Sequence, residues 1–342
     1  MKKKTVSGII VFIVLIIVVI GISIYSAFLP HKEKNISISF SNGKDNQITA
    51  GTADAELVKS YKKDFIAALY IEGQITVENN TYNQKWLMDT VNSLAHNKNN
   101  AALAIFINSP GGAVYQADEL YLALQQYKSK TGRPIYVYQG PMAASGGYYL
   151  SCAANEIYAN RNTMTGCIGV IMGNSFDLTG MFEKLGIKSI TIHSGRNKNM
   201  GNYNEPFNEE QQAIMQSMCD ECYEQFVTIV AHSRHMPYDK AAELSDGRIY
   251  TAKQALDNGL IDKIDSWENM LSDLATKIEK PGIKVNTYKY ERKKQSIFDM
   301  MYGKAKDLET AKTASTLGIP VNVMEDINNQ SMMPMYLAPI CE

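Results

Sequence analysis

Basic charge is not in excess in this sequence: Lys and Arg number 34 against 35 for Asp and Glu, a formal net charge of -1. Binding to a phosphate backbone draws on surplus cations, so nucleic acid is not an expected partner. Cysteine is scarce and odd in number, five in 342 residues, which excludes a small secreted scaffold framed by disulfides. Cys152, Cys167, Cys219, Cys222 and Cys341 are therefore read one at a time. Cys219 and Cys222 form a C-x-x-C, but no second pair completes a zinc site, so no metal is expected, and no motif calls for a nucleotide or other cofactor. Proline is limited to 10 residues and charged residues to 20%, whereas hydrophobic residues reach 45%, a balance that suits a buried core and excludes a disordered chain.

What is present begins with one long apolar run. Gly8 to Leu29 carries no charge, and as a helix its roughly 22 residues rise about 33 Å, enough to span a bilayer. A cleaved signal peptide would have a shorter apolar region and a small-x-small site, and Tyr25 spoils the best candidate, Tyr25-Ser26-Ala27. Residues 1–7 contain Lys2, Lys3 and Lys4, which predicts a cytoplasmic N-terminus, a membrane anchor at residues 8–29 and everything from residue 30 onward outside the cytoplasm. Residues 30–61 are polar and without sustained period, as in a linker.

Folded structure is expected over residues 62–280, with residues 281–342 as a C-terminal extension. Phe65–Ile71, Ala101–Ile107 and Pro134–Gln139 are short continuous apolar runs ended by turn residues, the signature of strands buried on both faces. Between the second and third, Val114, Ala117, Leu120, Tyr121 and Leu124 recur at helical spacing, giving a βαβ unit and a parallel sheet. Further strands are predicted at Glu156–Ala159 and Ser189–His193. A long helix is predicted at Glu209–His235 with an Asn208/Gln211 capping box, and shorter helices near Asp239, near Thr251 and over Ser266–Lys277.

Two loops follow predicted strands and are built for chemistry. Asn108-Ser109-Pro110-Gly111-Gly112 sits between a strand and a helix, where open α/β sheets bind ligands, and Gly112 can aim an N–H at a developing oxyanion. Gln139 to Tyr149 (QGPMAASGGYY) surrounds Ser145 with small residues that leave its Oγ reachable, and the Gly146 N–H is a second donor. Each also has a plainer reading: an ordinary strand-to-helix turn, and a serine that only caps a helix. A nucleophilic serine requires a base. His193, His232 and His235 are available, and so is Lys198 in the loop SGRNKNMG. An ordinary lysine, with a pKa of ~10.4, is neutral in only about 0.04% of molecules at pH 7; lowering the pKa to ~8 raises that to about 10%.

Taken together, INSPGG, MAASGGYY, TGCIGV (Thr165 to Val170), SGRNKNMG and DGRIYTAKQALDNGLID (Asp246 to Asp262) occur in an order that resembles the signal peptide peptidase A family of bacterial membrane serine peptidases, over roughly Asp64 to Lys277. The resemblance implies Ser145 as nucleophile, Lys198 as general base, and the N–H groups of Gly112 and Gly146 as oxyanion hole. It implies a crotonase-like or Clp-like spiral of βαβ units assembled into a homo-oligomeric ring, in which the dyad forms either within one protomer or between neighbouring ones. Hydrophobic peptides such as remnant signal peptides are the implied substrates. One position departs from the pattern: Cys167 stands where similar sequences carry a serine whose hydroxyl holds the lysine. A thiol is the weaker hydrogen-bonding group, and Thr165 is an alternative source of that hydroxyl. Rival functions are an acyl-CoA enzyme on the same fold and a ring scaffold that Cys167 has inactivated. Finally, Ser331 to Glu342 (SMMPMYLAPICE) is apolar up to its last residue, and two outcomes are open: an edge strand of the domain, or an extended strand in the substrate groove.

Overall fold

The computed structural model describes residues 47–49, 63–173, 176–292 and 335–337. The stretches 1–7 and 8–29, read as basic N-terminus and membrane anchor, lie outside them, as does Cys341. Among the described residues no helix is long and apolar enough to cross a membrane.

The elements run β1 (Gln47–Thr49), β2 (Phe65–Glu72), α1 (Gln84–His96), β3 (Asn100–Ser109), β4 (Gly111–Ala113), α2 (Val114–Thr131), β5 (Ile135–Ala144) and α3 (Gly146–Ser151). They continue with β6 (Glu156–Ala159), β7 (Met164–Gly166), α4 (Thr179–Leu185), α5 (Glu209–Ser233), α6 (Tyr238–Glu243), β8 (Ile249–Thr251) and α7 (Ala252–Asp257). The last are β9 (Lys263–Ile264), α8 (Trp267–Lys277), β10 (Lys284–Lys289) and β11 (Met335–Leu337). The main sheet is ordered β1-β10-β2-β3-β5-β6-β9 and is parallel throughout; β7 adds to β5 in parallel and to β8 antiparallel. This is an α/β fold. The stretch read as a linker contributes β1, and the sheet draws β10 from beyond residue 280.

The apolar runs of β2, β3 and β5 are continuous because both faces of the sheet are covered. Phe65, Ala67, Leu69 and Ile71 enter one core with Leu103, Ile105, Ile107 and Val137, whereas Ile66, Ala102, Ala104, Tyr136 and Tyr138 enter a second core under α8. Trp267 of α8 lies edge-on to Phe106 and Tyr138, closing that side. Arg234, at the end of α5, pairs with Asp262 at 2.6 Å and donates to the Gly259 carbonyl, which pins the long helix to the loop after α7.

Two local expectations are corrected. Ser189–His193 forms no strand: its backbone has no neighbouring strand to pair with, and Ser189 and Thr191 instead accept side-chain bonds from Asn204. The capping box at α5 is half made. Asn208 Oδ1 accepts from the Gln211 N–H at 2.9 Å, but Gln211 Oε1 is buried without a partner, so the reciprocal bond is missing.

Candidate active site

The carboxyl ends of β2, β3 and β5 converge, as they do wherever an open parallel sheet builds a site. The pairing of β3 with β5 slips after Ile107 and resumes at Ser109 opposite Ala143, which lays the Ser109–Gly112 loop alongside the approach to Ser145. Beyond β2, Ile75 brackets β4: its N–H donates to the Gly111 carbonyl at 2.8 Å, and its carbonyl accepts from the Ala113 N–H at 2.9 Å. Groups of one strand residue point to one edge and those of the next to the other, so Gly112 turns its N–H and C=O away from Ile75. Glycine is required there, because a Cβ would lie 1.9 Å from the Ile75 carbonyl oxygen.

Ser145 lies between β5 and α3 with φ 53° and ψ -116°, a region that L side chains seldom occupy and that carries a strain of about 1–3 kcal/mol. Two backbone bonds hold it there. Its N–H donates to the Gly166 carbonyl at 2.7 Å, and its carbonyl accepts from the Tyr149 N–H at 2.9 Å. The serine does not cap α3, since its side chain makes no cap bond. Its Oγ is buried and has no hydrogen-bond partner, although the residue is only 1% exposed. Gly146 begins α3, where its N–H has no intrahelical acceptor. Both oxyanion candidates are close: a Cβ on Gly146 would lie 3.3 Å from the Gly112 nitrogen.

Behind the serine, Tyr149 donates to Asp118 of α2 at 2.6 Å and accepts from Gln225 of α5, while Tyr148 donates to the Leu260 carbonyl at 2.8 Å. Burial pushes the Tyr148 phenol well up from its ordinary pKa, so it remains a neutral donor. These bonds clamp the short helix to three other parts of the fold.

Cys167 flanks the same point. It has φ 50°, donates its N–H to the Arg248 carbonyl at 2.8 Å, and packs against Ala144, the residue before the serine. Thr165 is buried with its hydroxyl donating to the Ala143 carbonyl at 2.9 Å. Lys198 is elsewhere. It follows a turn closed by its N–H to the Gly195 carbonyl at 3.0 Å, its side chain is exposed, and it does not bond Ser145 Oγ. His193, His232 and His235 are also exposed and make no contact with that oxygen. Among the described residues, no group of three or more His, Cys, Asp or Glu is placed to hold a metal ion, and Cys152, Cys167, Cys219 and Cys222 form no disulfide.

The sequence of peptidase family S49 matches this chain over residues 127–289. A protein of Enterococcus faecium assigned as a signal peptide peptidase SppA is 33% identical over 263 residues, covering 74% of this chain and 76% of its own length. This chain belongs to peptidase family S49. Relatives in that family include the chloroplastic serine protease SPPA of Arabidopsis thaliana, 29% identical over 68% of this chain and 34% of its own. Protease 4 of Haemophilus influenzae is 28% identical over 70% of this chain and 40% of its own length. Among solved structures, a ClpP1 mutant from Listeria monocytogenes is a looser likeness, with TM-score 0.38 and 18% identity over 60% of this chain and 94% of its own. For an S49 peptidase, the site's backbone parts were the hardest to see in sequence. Ile75 and Arg248 act through carbonyl and amide groups that any residue carries, so composition gave no signal for the first, and the DGR motif contained the second without indicating the role of its carbonyl.

Proposed function

We propose that this chain is a membrane-anchored serine endopeptidase using a Ser145–Lys198 dyad. The observation that carries the reading is the state of Ser145, a strained, buried residue whose Oγ serves no structural bond. Such strain persists only where the surrounding structure over-determines it, and it clusters at active sites. Lys198 takes the Oγ proton, Ser145 attacks a peptide carbonyl, and the oxyanion is held by the N–H groups of Gly112 and Gly146. The lysine returns the proton to the leaving amine, and water then releases the acyl-enzyme. Cys167, or Thr165, orients the base.

The exposed position of Lys198 supports a dyad completed by a neighbouring copy in a ring built on a Clp-like or crotonase-like spiral. Residues 176–206 are held in shape by the Leu178 N–H on the Tyr203 carbonyl and by Arg196 paired to Glu210 of α5, yet they leave Ile190 82% and Ile192 95% exposed. Docking against another copy would cover those side chains and desolvate the lysine, which is how a lysine becomes a base. Residues 8–29 anchor the chain in the cell membrane, with residues 1–7 cytoplasmic and the catalytic domain, residues 62–280, outside. Substrates in that setting are hydrophobic peptides, signal-peptide remnants among them. Within the C-terminal extension, residues 281–342, the terminal segment 331–342 docks in the substrate groove. In support, β11 pairs antiparallel with β4, with Tyr336 opposite Gly112, so a segment of the tail lies along the edge to which Gly112 turns its N–H.

The test is labelling with a fluorophosphonate. An active serine hydrolase takes the label at Ser145 and loses it in Ser145→Ala. An acyl-CoA enzyme or an inactive scaffold stays unlabelled, and that result removes the proposal.

A further inference from the structure

Resting on the serine-peptidase reading above, we propose that Ser109 is the positioning residue of the oxyanion hole. It is fully buried at the end of β3 and is followed by Pro110, which confines the preceding residue to extended conformations and offers no N–H of its own. The next amide belongs to Gly111, and it donates to Ser109 Oγ at 3.1 Å. That bond closes a local serine turn. It satisfies a buried N–H and holds Gly111 at φ 102°. With the Gly111 carbonyl and the Ala113 N–H already taken by Ile75, both neighbours of Gly112 are fixed and its own N–H has one direction left.

Ser109 also meets the other half of the hole. A Cβ on Gly147 would lie 2.9 Å from the Ser109 carbonyl oxygen and 3.4 Å from its Cβ, and one on Gly146 would lie 3.2 Å from the Gly111 Cα. The serine is therefore a spacer that sets the distance between the strand bearing one donor and the helix bearing the other. Removing its hydroxyl leaves the Gly111 N–H buried without an acceptor, and the segment relaxes by turning Gly112. Small displacements of an oxyanion donor are felt in the transition state far more than in the bound substrate.

The experiment compares Ser109→Ala, Ser109→Cys and Ser109→Thr in the full chain. It measures kcat and KM on a peptide substrate, and binding of a peptide aldehyde, which forms the oxyanion, against the same peptide as its amide, which does not. The Ala variant is expected to lose about 10- to 100-fold in kcat and in aldehyde affinity, with KM and amide affinity within about twofold. Thr, which keeps the hydroxyl, restores most of the rate. Should the Ala variant unfold, the Cys variant, similar in size and weak as an acceptor, is read by the same criteria. Wild-type kcat in the Ala and Cys variants, or equal loss of aldehyde and amide binding in them, overturns the assignment. Failure of the underlying reading looks different: wild type itself then shows no hydrolysis and no fluorophosphonate labelling.

Discussion

The ground around Ser145 and the arm around Lys198 are built in opposite ways. The backbone around the serine is fixed by bonds to Ile75, Gly166 and Arg248, which leave the Gly112 and Gly146 N–H groups for a ligand, and the side chains behind it are buried to within a few per cent. The arm is held by short-range polar bonds among Ser189, Thr191, Asn199, Asn202 and Asn204, with its isoleucines in solvent. A region packed to native density is finished when the chain folds. A region that leaves a run of apolar side chains in water is finished by something else. On the proposed reading, the serine half of the dyad is a property of the fold and the lysine half a property of an assembly.

The largest expected effect breaks the comparison at its centre. Ser145→Ala and Lys198→Met should each lower peptide hydrolysis by at least about 10³-fold, because members of one catalytic unit fail together. The two inactive proteins, mixed and allowed to exchange subunits, should recover part of the wild-type rate, since some contacts then join an intact serine to an intact lysine. Verified exchange without recovery would sink the shared site.

The second effect is confined to the arm. Replacing Ile190 and Ile192 by Asp touches nothing buried in the single chain, so its thermal midpoint should move little. Assembly measured by sedimentation should weaken, and activity at dilute protein should fall about tenfold, as expected when side chains central to a contact are lost. An unchanged oligomer with unchanged rate would make those isoleucines ordinary surface residues.

The same contrast explains what could be seen in the sequence. The strands of β2, β3 and β5 were legible because burial on both faces writes continuous apolar runs, and Ser145 and Gly112 were legible because small residues crowd them after those runs. Helix α1 escaped although its signal was present: Asn83 caps it with a bond to the Trp86 N–H at 2.8 Å, and Leu87, Val91 and Leu94 recur at helical spacing. The Ser189–His193 segment has the alternation of a strand, with Ile190 and Ile192 on one side, but alternation records which side chains are apolar and not whether a partner exists for the backbone. Ile75 left no trace at all, since its contribution is an amide and a carbonyl.

A smaller effect is expected at the tail. If residues 331–342 occupy the groove edge for part of the time, they compete with substrate as a tethered ligand, and the rate falls by the fraction of sites so occupied. Deleting them should raise hydrolysis of a short peptide about two- to tenfold, and mass spectrometry of wild type should show terminal residues lost only while Ser145 is intact. An unchanged rate with an intact terminus would return β11 to a plain edge strand.

The smallest effect tests whether the finished half of the site is tuned or merely filled. Cys167 has a positive φ, donates its backbone N–H to the Arg248 carbonyl, and packs on Ala144, so backbone geometry helps to hold it in place. Serine is smaller and bonds more strongly through its hydroxyl, and its conformational tolerance is similar, so Cys167→Ser should fold as wild type does. If the group at this position orients the incoming lysine, the substitution leaves the rate equal or raises it by up to about threefold, on the scale of one modestly improved hydrogen bond. A small apolar thiol reagent should then inhibit wild type and spare Cys167→Ser, because bulk on that sulfur intrudes beside Ala144 and the serine that follows it. Cys152 is the control. Burial pushes its thiol up to about 12, which leaves almost no thiolate to react, so inhibition that persists in Cys167→Ser would have to come from Cys219, Cys222 or Cys341 and would move the sensitive thiol away from position 167.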